Sequence, residues 1–204
     1  MNSTLRRVLL LGIVPIAVLA LNACADGSND SGMPGMNHGS TSGSSPSSAT
    51  FSMADVQFAQ MMIGHHQQAV EMSTLAETRA ADTEVKTLAA QIKAAQQPEI
   101  TTMMGWLTGW GQPTAQAGGH NMPGMGGMPG IMSDDEIRQL TAAKGIDFDR
   151  MFARMMIAHH NGAIQMANDV IANGSDAGIK ALAQNVVTTQ TAEVAHLQKI
   201  LDRL

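Results

Sequence analysis

The chain of 204 residues carries a net charge of −5, with 12 Lys and Arg against 17 Asp and Glu. This balance excludes the usual nucleic-acid-binding proteins, which present a basic face to the phosphates. Met is unusually frequent, at 17 residues; because helical cores ordinarily prefer Leu, the Met content requires a separate explanation.

The first 23 residues are predicted to be a lipoprotein signal peptide. Arg6 and Arg7 precede an apolar run, residues 8–21, that is too short for a comfortable membrane span. The run ends in Leu21-Asn22-Ala23-Cys24, which resembles a bacterial lipobox, and Cys24 is the only cysteine. We therefore expect Cys24 to be lipidated and to anchor the protein to the membrane. A secreted protein with a stray thiol and an uncleaved anchor are the alternatives.

Two segments rich in Gly, Ser, Pro and Met are predicted to be linkers. Residues 24–52 form a flexible tether, and residues 109–132 connect two halves of the chain. Both contain the phrase Met-Pro-Gly-Met, and each adds a histidine, His38 or His120. These thioethers are candidates for weak metal sites, although the Met residues of a linker can also be incidental.

The rest of the chain contains an internal duplication. Residues 58–72 and 152–166 are identical at nine of fifteen positions, which include a Met-Met-Ile triplet and a His-His pair. The match continues without a gap over about 50 residues, which indicates a duplicated two-helix unit. The same offset pairs Gln96 with Gln190 and Glu99 with Glu193.

Each repeat is predicted to form a helical hairpin. The predicted helices span residues 54–79 and 83–108 in repeat one (54–108), and residues 148–173 and 176–203 in repeat two (133–204). A capping box at Ser133–Glu136 opens a short helix that runs to Lys144 and ends at Gly145. Pro98 predicts a kink in the second helix. Two hairpins predict an all-α, four-helix bundle over residues 53–204.

Several polar side chains are predicted to face the interior of this bundle. On the helical wheel of the first helix, Met61 and His65 lie within the apolar stripe, with Met62 and His66 at its edge. The corresponding polar positions of the paired helices are Gln96, Glu99, Gln190 and Glu193. Because buried polar groups are costly unless they are paired, two readings remain: a metal site, or His–Glu hydrogen bonds that fix helix register.

Copper is the metal that these residue types favour. Met and His four residues apart on one helix face can share an ion, as in Met61 with His65 and Met62 with His66. Thioether sulfur selects Cu(I), whereas imidazole binds Cu(I) or Cu(II), so Cu(I) is favoured over Cu(II). Zinc is disfavoured because it rarely takes Met. The carboxylates of Glu99 and Glu193 could orient the histidines from behind.

A di-iron oxidase is the rival within the same architecture. Such a site needs two Glu-x-x-His motifs, and only Glu193 with His196 forms one, since Thr102 stands at the equivalent place in repeat one. Nucleophile elbows, phosphate loops and Cys-x-x-Cys motifs are also absent from the sequence. We therefore expect no enzymatic activity.

The paired motif Phe-x-x-Met-Met-Ile-x-His-His-x-x-Ala-x-x-Met, with Gln-x-x-Glu in the next helix, resembles the DUF305 family of bacterial proteins over residues 54–204. The resemblance implies a ferritin-like four-helix bundle outside the cytoplasm, with copper binding and copper resistance in some members. It carries the following residues over as metal ligands: Met61, Met62, His65, His66, Met72, Met155, Met156, His159, His160 and Met166.

The sequence thus predicts an extracytoplasmic lipoprotein that sequesters or transfers copper, with the membrane and a copper-handling protein as candidate partners. The alternative is a structural or interaction bundle whose buried His–Glu pairs bind no metal.

Overall fold

The computed structural model describes residues 51–114 and 127–204, and the regular structure of these residues is helical. Five helices follow one another: α1 (Met53–Arg79), α2 (Thr83–Gly109), α3 (Asp134–Ala142), α4 (Gly145–Asn173) and α5 (Ala177–Arg203). This arrangement confirms the predicted all-α bundle of two hairpins with a short connecting helix. The predictions for the signal peptide, Cys24, the tether to residue 50 and His120 lie outside the described residues.

Four of the five described helices begin at a capping side chain, and α4 is the exception. Ser52 and Asp55 form a capping box at the start of α1, and Ser133 and Glu136 form the predicted one at α3. One expected boundary is wrong: Gly145 does not end α3, which stops at Ala142. Instead Gly145, with φ of 64°, begins α4, because glycine tolerates this left-handed backbone where the chain turns between two helices. The helix α2 runs through Pro98, and the kink there stays a prediction.

The two hairpins are related by an internal pseudo-two-fold axis. The main contacts join α1 to α2, α4 to α5, and α1 to α4. Asp55, at the start of α1, accepts hydrogen bonds from the backbone N–H groups that follow α4, and Asp149, at the start of α4, accepts them from those that follow α1. These reciprocal contacts show that α1 and α4 pack antiparallel.

Two apolar cores occupy opposite ends of the bundle. In α1, residues 56–63 belong to one core and residues 69–80 to the other. In α4, residues 148–156 and 163–170 divide in the same way, in the reverse order expected of an antiparallel neighbour. Between the cores, each of the four long helices contributes buried polar side chains, which we call the polar layer: His65, His66, Gln96, His159, His160 and Gln190.

Candidate metal centre

The polar layer contains all four histidines predicted as ligands, and the structure brings them together at the middle of the α1/α4 seam. His65, His66, His159 and His160 each have 0% relative exposure. Such burial follows from the sequence, since two adjacent histidines on a helix that packs against two neighbours place one ring toward each. The layer therefore exists because the duplication brings two His-His pairs into contact across the pseudo-two-fold axis.

One histidine of each pair contacts a carboxylate at the edge of the layer. His66 Nε2 lies 2.7 Å from Glu99 Oε2 and donates a hydrogen bond to it. His160 Nε2 lies 2.8 Å from Glu193 Oε2, within ion-pair distance but without the geometry of a hydrogen bond. The predicted orientation of histidines by Glu99 and Glu193 has the required proximity.

The other histidine of each pair meets its counterpart directly. The ring centroids of His65 and His159 are 3.7 Å apart, with the rings tilted by 41°. Burial lowers the pKa of His65 from 6.5 to about 3, and repulsion from His66 adds to this. Burial also holds the pKa of His159 well below its ordinary value, with His65 as the next cause. Both rings are therefore neutral near pH 7, which is the form that binds metal.

Several ring nitrogens in the layer have no hydrogen-bond partner among the described residues. These are Nδ1 of all four histidines, together with Nε2 of His159 and of His160, the last of which lies at ion-pair distance from Glu193. An unpartnered buried polar atom costs about 1–3 kcal/mol, so its persistence points to a ligand or to a functional role. Gln96 adds an amide group with neither atom partnered. The layer thus offers unpartnered nitrogen donors in a water-poor setting.

The predicted methionine ligands do not converge on one point. Met62 and Met166 belong to the core on one side of the layer, whereas Met72, Met155 and Met156 belong to the core on the other. The placement of Met61 inside the apolar stripe is wrong: Met61 is 40% exposed and lines a surface pocket that also includes Met166. It turns outward because the true buried face of α1 centres on Met62 and the histidines.

Imidazole and thioether donors fit a soft metal, but the distance between His65 and His159 limits whether both can bind the same ion. With metal–nitrogen bonds of about 2.0 Å, two imidazoles on one ion place their centroids about 5–6 Å apart. The His65–His159 pair is closer than this, so these rings cannot both hold one ion without moving. In the described ranges, no three His, Cys, Asp or Glu side chains form a ready metal cluster.

Three buried polar residues that were not predicted from the sequence lie outside the polar layer and fix the backbone around it. Asp55 and Asp149 occupy equivalent positions in the repeats, a signal visible in the alignment at the same offset as the histidines. Gln68, also fully buried, hydrogen-bonds the backbone of Met132. The equivalent of Gln68 in repeat two is Gly162, so no repeat signal marked it.

None of the described helices is long and apolar enough to cross a membrane.

Comparison with solved structures gives three related proteins. A DUF305 protein from Streptomyces coelicolor has 34% sequence identity and a TM-score of 0.66, covering 74% of this chain and 93% of that one. A DUF305 fragment from Deinococcus radiodurans has 31% identity and a TM-score of 0.67, covering 75% and 98%. CopM in its Cu(II)-bound form has 32% identity and a TM-score of 0.63, covering 73% and 96%.

CopM also matches in its Cu(I)-bound, Ag-bound and apo forms, each with a TM-score of 0.61. No curated protein matches the chain. The family model called Domain of unknown function (DUF305) matches residues 55–201, which is most of the sequence. Together with the solved members above 30% identity, this match shows that the protein belongs to the DUF305 family.

Proposed function

We propose that this protein binds copper outside the cytoplasm and sequesters or transfers it, without catalysing a reaction. One observation carries the proposal: four buried histidines meet at the α1/α4 seam with unpartnered ring nitrogens, in a family that includes the copper-bound and silver-bound CopM. Copper is the cargo here, and His65 and His159, whose pKa values are lowered by burial, supply neutral imidazoles that need not lose a proton to bind it.

Cu(I) is the proposed oxidation state. Met62 lies one turn before His66 and Met156 one turn before His160, and all four side chains are fully buried. Thioether sulfur and imidazole in an apolar setting favour a soft monovalent cation over Cu(II). Ag(I), which is soft and does not change oxidation state in ordinary buffers, is the natural probe for the same ligands.

Export and lipid anchoring at Cys24 are part of this proposal, as is a copper-handling protein as partner. The Streptomyces coelicolor relative is described as secreted. A tethered bundle at the membrane surface would collect copper before it enters the cell. Palmitate labelling of the protein in its bacterial host, compared with a Cys24→Ala variant, tests the anchor.

The metal proposal is tested by Cu(I) competition titration of residues 25–204. The informative variant replaces His65 and His159 with Gln, which keeps a polar side chain in each place. The matched control is His196→Gln, because His196 pairs with Glu84 at 2.6 Å on the exposed surface, outside the layer. Circular dichroism establishes that each variant folds. We expect binding to weaken at least tenfold in the double variant and to be unchanged in the control.

A bundle whose polar layer only sets helix register is the second candidate. The hydrogen bond from His66 to Glu99 favours it, because this pair is satisfied without metal. A buried polar contact can specify alignment even when it adds little stability. This candidate expects no copper affinity in the parent protein and a lower stability in the double variant.

A further inference from the structure

Residues 128–132, which we call the strap, lie across the seam between α1 and α4. Met128 and Met132, at its two ends, are 8% and 7% exposed and pack into opposite cores. Gly130, with φ of 76°, sits so close to α4 that a Cβ there would overlap the carbonyl oxygen of Ala158. The strap is therefore a packed part of the bundle.

Positions 68 and 162 are equivalent in the two repeats, yet they hold different residues, and both serve the strap. Gln68 on α1 donates to the carbonyl of Met132 and accepts from its N–H, each at 2.8 Å. Gly162 on α4 leaves the space through which the strap passes, since a Cβ there would overlap the carbonyl of Pro129. A pseudo-two-fold axis would allow the strap to lie across the seam in two opposite orientations. Gln68 on α1 and Gly162 on α4 permit only one of them.

This orientation makes two equivalent histidines chemically different. His65 Nε2 lies 3.1 Å from the carbonyl oxygen of Pro129. A carbonyl oxygen only accepts hydrogen bonds, so Nε2 carries the proton and the lone pair of the neutral ring is on Nδ1, which has no partner. His159 makes no hydrogen bond to the strap: neither of its ring nitrogens has a partner of normal hydrogen-bond geometry among the described residues, and its backbone contact is with His65.

We propose that the strap is the positioning element of the soft-metal site. Through the Pro129 carbonyl it holds His65 as an Nδ1 donor, whereas it makes no such contact with His159. A hydrogen bond at one imidazole nitrogen commonly fixes which nitrogen binds metal, so the role has a general physical basis. The tautomer of His65 follows from its hydrogen bond alone, while its use in binding rests on the proposed copper function.

The tautomer is measured in the apo protein, residues 25–204, by two-bond proton–nitrogen NMR correlation of the histidine rings. The signals of His65 are identified by their loss in His65→Gln. We expect a protonated Nε2 and an unprotonated Nδ1 at neutral pH. A proton on Nδ1, or an average of the two tautomers, overturns the proposal.

Ag(I) then reports which nitrogen binds, because silver nuclei couple to a directly bonded nitrogen. We expect coupling at Nδ1 of His65; additional coupling at His159 would mean that the two rings, 3.7 Å apart in the apo protein, separate on binding. Coupling at Nε2 of His65 contradicts the strap's role even if the protein binds silver tightly. Absence of coupling at every histidine contradicts the proposed metal site, and with it the strap's role in binding, while the apo tautomer is judged separately.

The strap itself is tested with Gly162→Ala, which inserts a methyl group where Pro129 passes. Gly105→Ala is the matched control, since a Cβ there meets nothing within 4 Å. We expect the first variant to release the His65 tautomer and to weaken Ag(I) binding about 10- to 100-fold, the range for lost outer contacts to a metal-binding histidine. If Gly162→Ala does not fold, Gln68→Ala is used instead, because it removes the hydrogen bonds that hold the Met132 end of the strap. A fixed tautomer and unchanged binding in a folded variant overturn the proposal.

Discussion

Asp55 and Asp149, at equivalent positions of the two repeats, each cap the hairpin turn of the opposite repeat. Asp55 Oδ2 accepts from the N–H of Ser175 at 2.9 Å, and Asp149 Oδ2 accepts from the N–H of Asp82 at 2.9 Å. Both carboxylates are fully buried. The two hairpins are therefore joined at both ends of the α1/α4 seam, with the histidines held between these fixed points.

Removing either carboxylate is expected to destabilise the whole bundle. Asp55→Ala or Asp149→Ala leaves buried backbone N–H groups without acceptors, at about 1–3 kcal/mol in the free energy of unfolding. Asp169→Ala is the control, because Asp169 is exposed on α4. Urea unfolding followed by circular dichroism measures the difference. Equal stability of the three variants would show that the reciprocal caps do not hold the hairpins together.

Acidification is expected to destabilise the apo protein from about pH 6.5 downward. Because burial lowers the pKa of His65 to about 3, the unfolded chain takes up a proton between these pH values that the folded chain does not. Stability is thus complete above pH 6.5 and falls as the pH falls; His159 acts in the same direction. Protonation of Asp55 lowers the free energy of unfolding further at lower pH. Burial raises its pKa, but hydrogen bonds from Ser52 and Ser175 outweigh this and hold it below 3.8.

The measurement is urea unfolding at a series of pH values from about 7.5 to about 4. Replacing His65 and His159 with Gln removes both groups, so the slope of stability against pH should become shallower in that variant. A parent protein whose stability does not change over this range would mean that the two rings are not neutral and buried.

Adjacent methionines provide a direct test of the corrected helix face. Met62 has 0% relative exposure and Met61 has 40%. Met62→Ala is expected to lower the free energy of unfolding by about 2–5 kcal/mol, because it removes a core side chain and leaves a cavity. Met61→Ala should change it by less than about 0.5 kcal/mol. A larger loss of stability in Met61→Ala than in Met62→Ala would support the buried face of α1 that was predicted from the sequence.

The carboxylate behind His66 is expected to tune metal affinity. Glu99→Gln keeps the size of the side chain but removes the negative charge of the carboxylate that accepts the hydrogen bond from His66 Nε2, so Cu(I) affinity should fall about 10- to 100-fold. Glu84→Gln is the control, since Glu84 contacts the exposed His196. Competition titration compares the two. An equal loss in both variants would point to overall charge rather than to the layer.

The fold could be predicted from the sequence because the duplication shows which residues of the two hairpins are equivalent. A gap-free repeat fixes equivalent positions, and the caps at Ser133 and Asp82 mark helix starts by local hydrogen bonding. The role of Gly145 was not accessible, since glycine can end one helix or begin the next, and only the backbone angle decides. Helix bounds at the other ends agree within a few residues.

The site was accessible only in part. The polar layer could be predicted, because His65 and His159 interrupt an apolar stripe in both repeats. The helical wheel could not place Met61, since the centre of a wide apolar face depends on which neighbours pack against it. Nor could it show that Pro129 contacts His65, because that contact joins residues 64 positions apart through a segment without periodicity.

Anomalous diffraction from crystals of residues 25–204 grown with Ag(I) tests whether the polar layer is the metal centre, because it locates the metal without a variant. We expect a silver peak in the polar layer, within bonding distance of a ring nitrogen of His159 or of Nδ1 of a neighbouring histidine, with a thioether of Met62 or Met156 beside it. Silver found only on methionines of the tether or the 109–132 linker, or no bound silver at all, would contradict the polar layer as a metal centre.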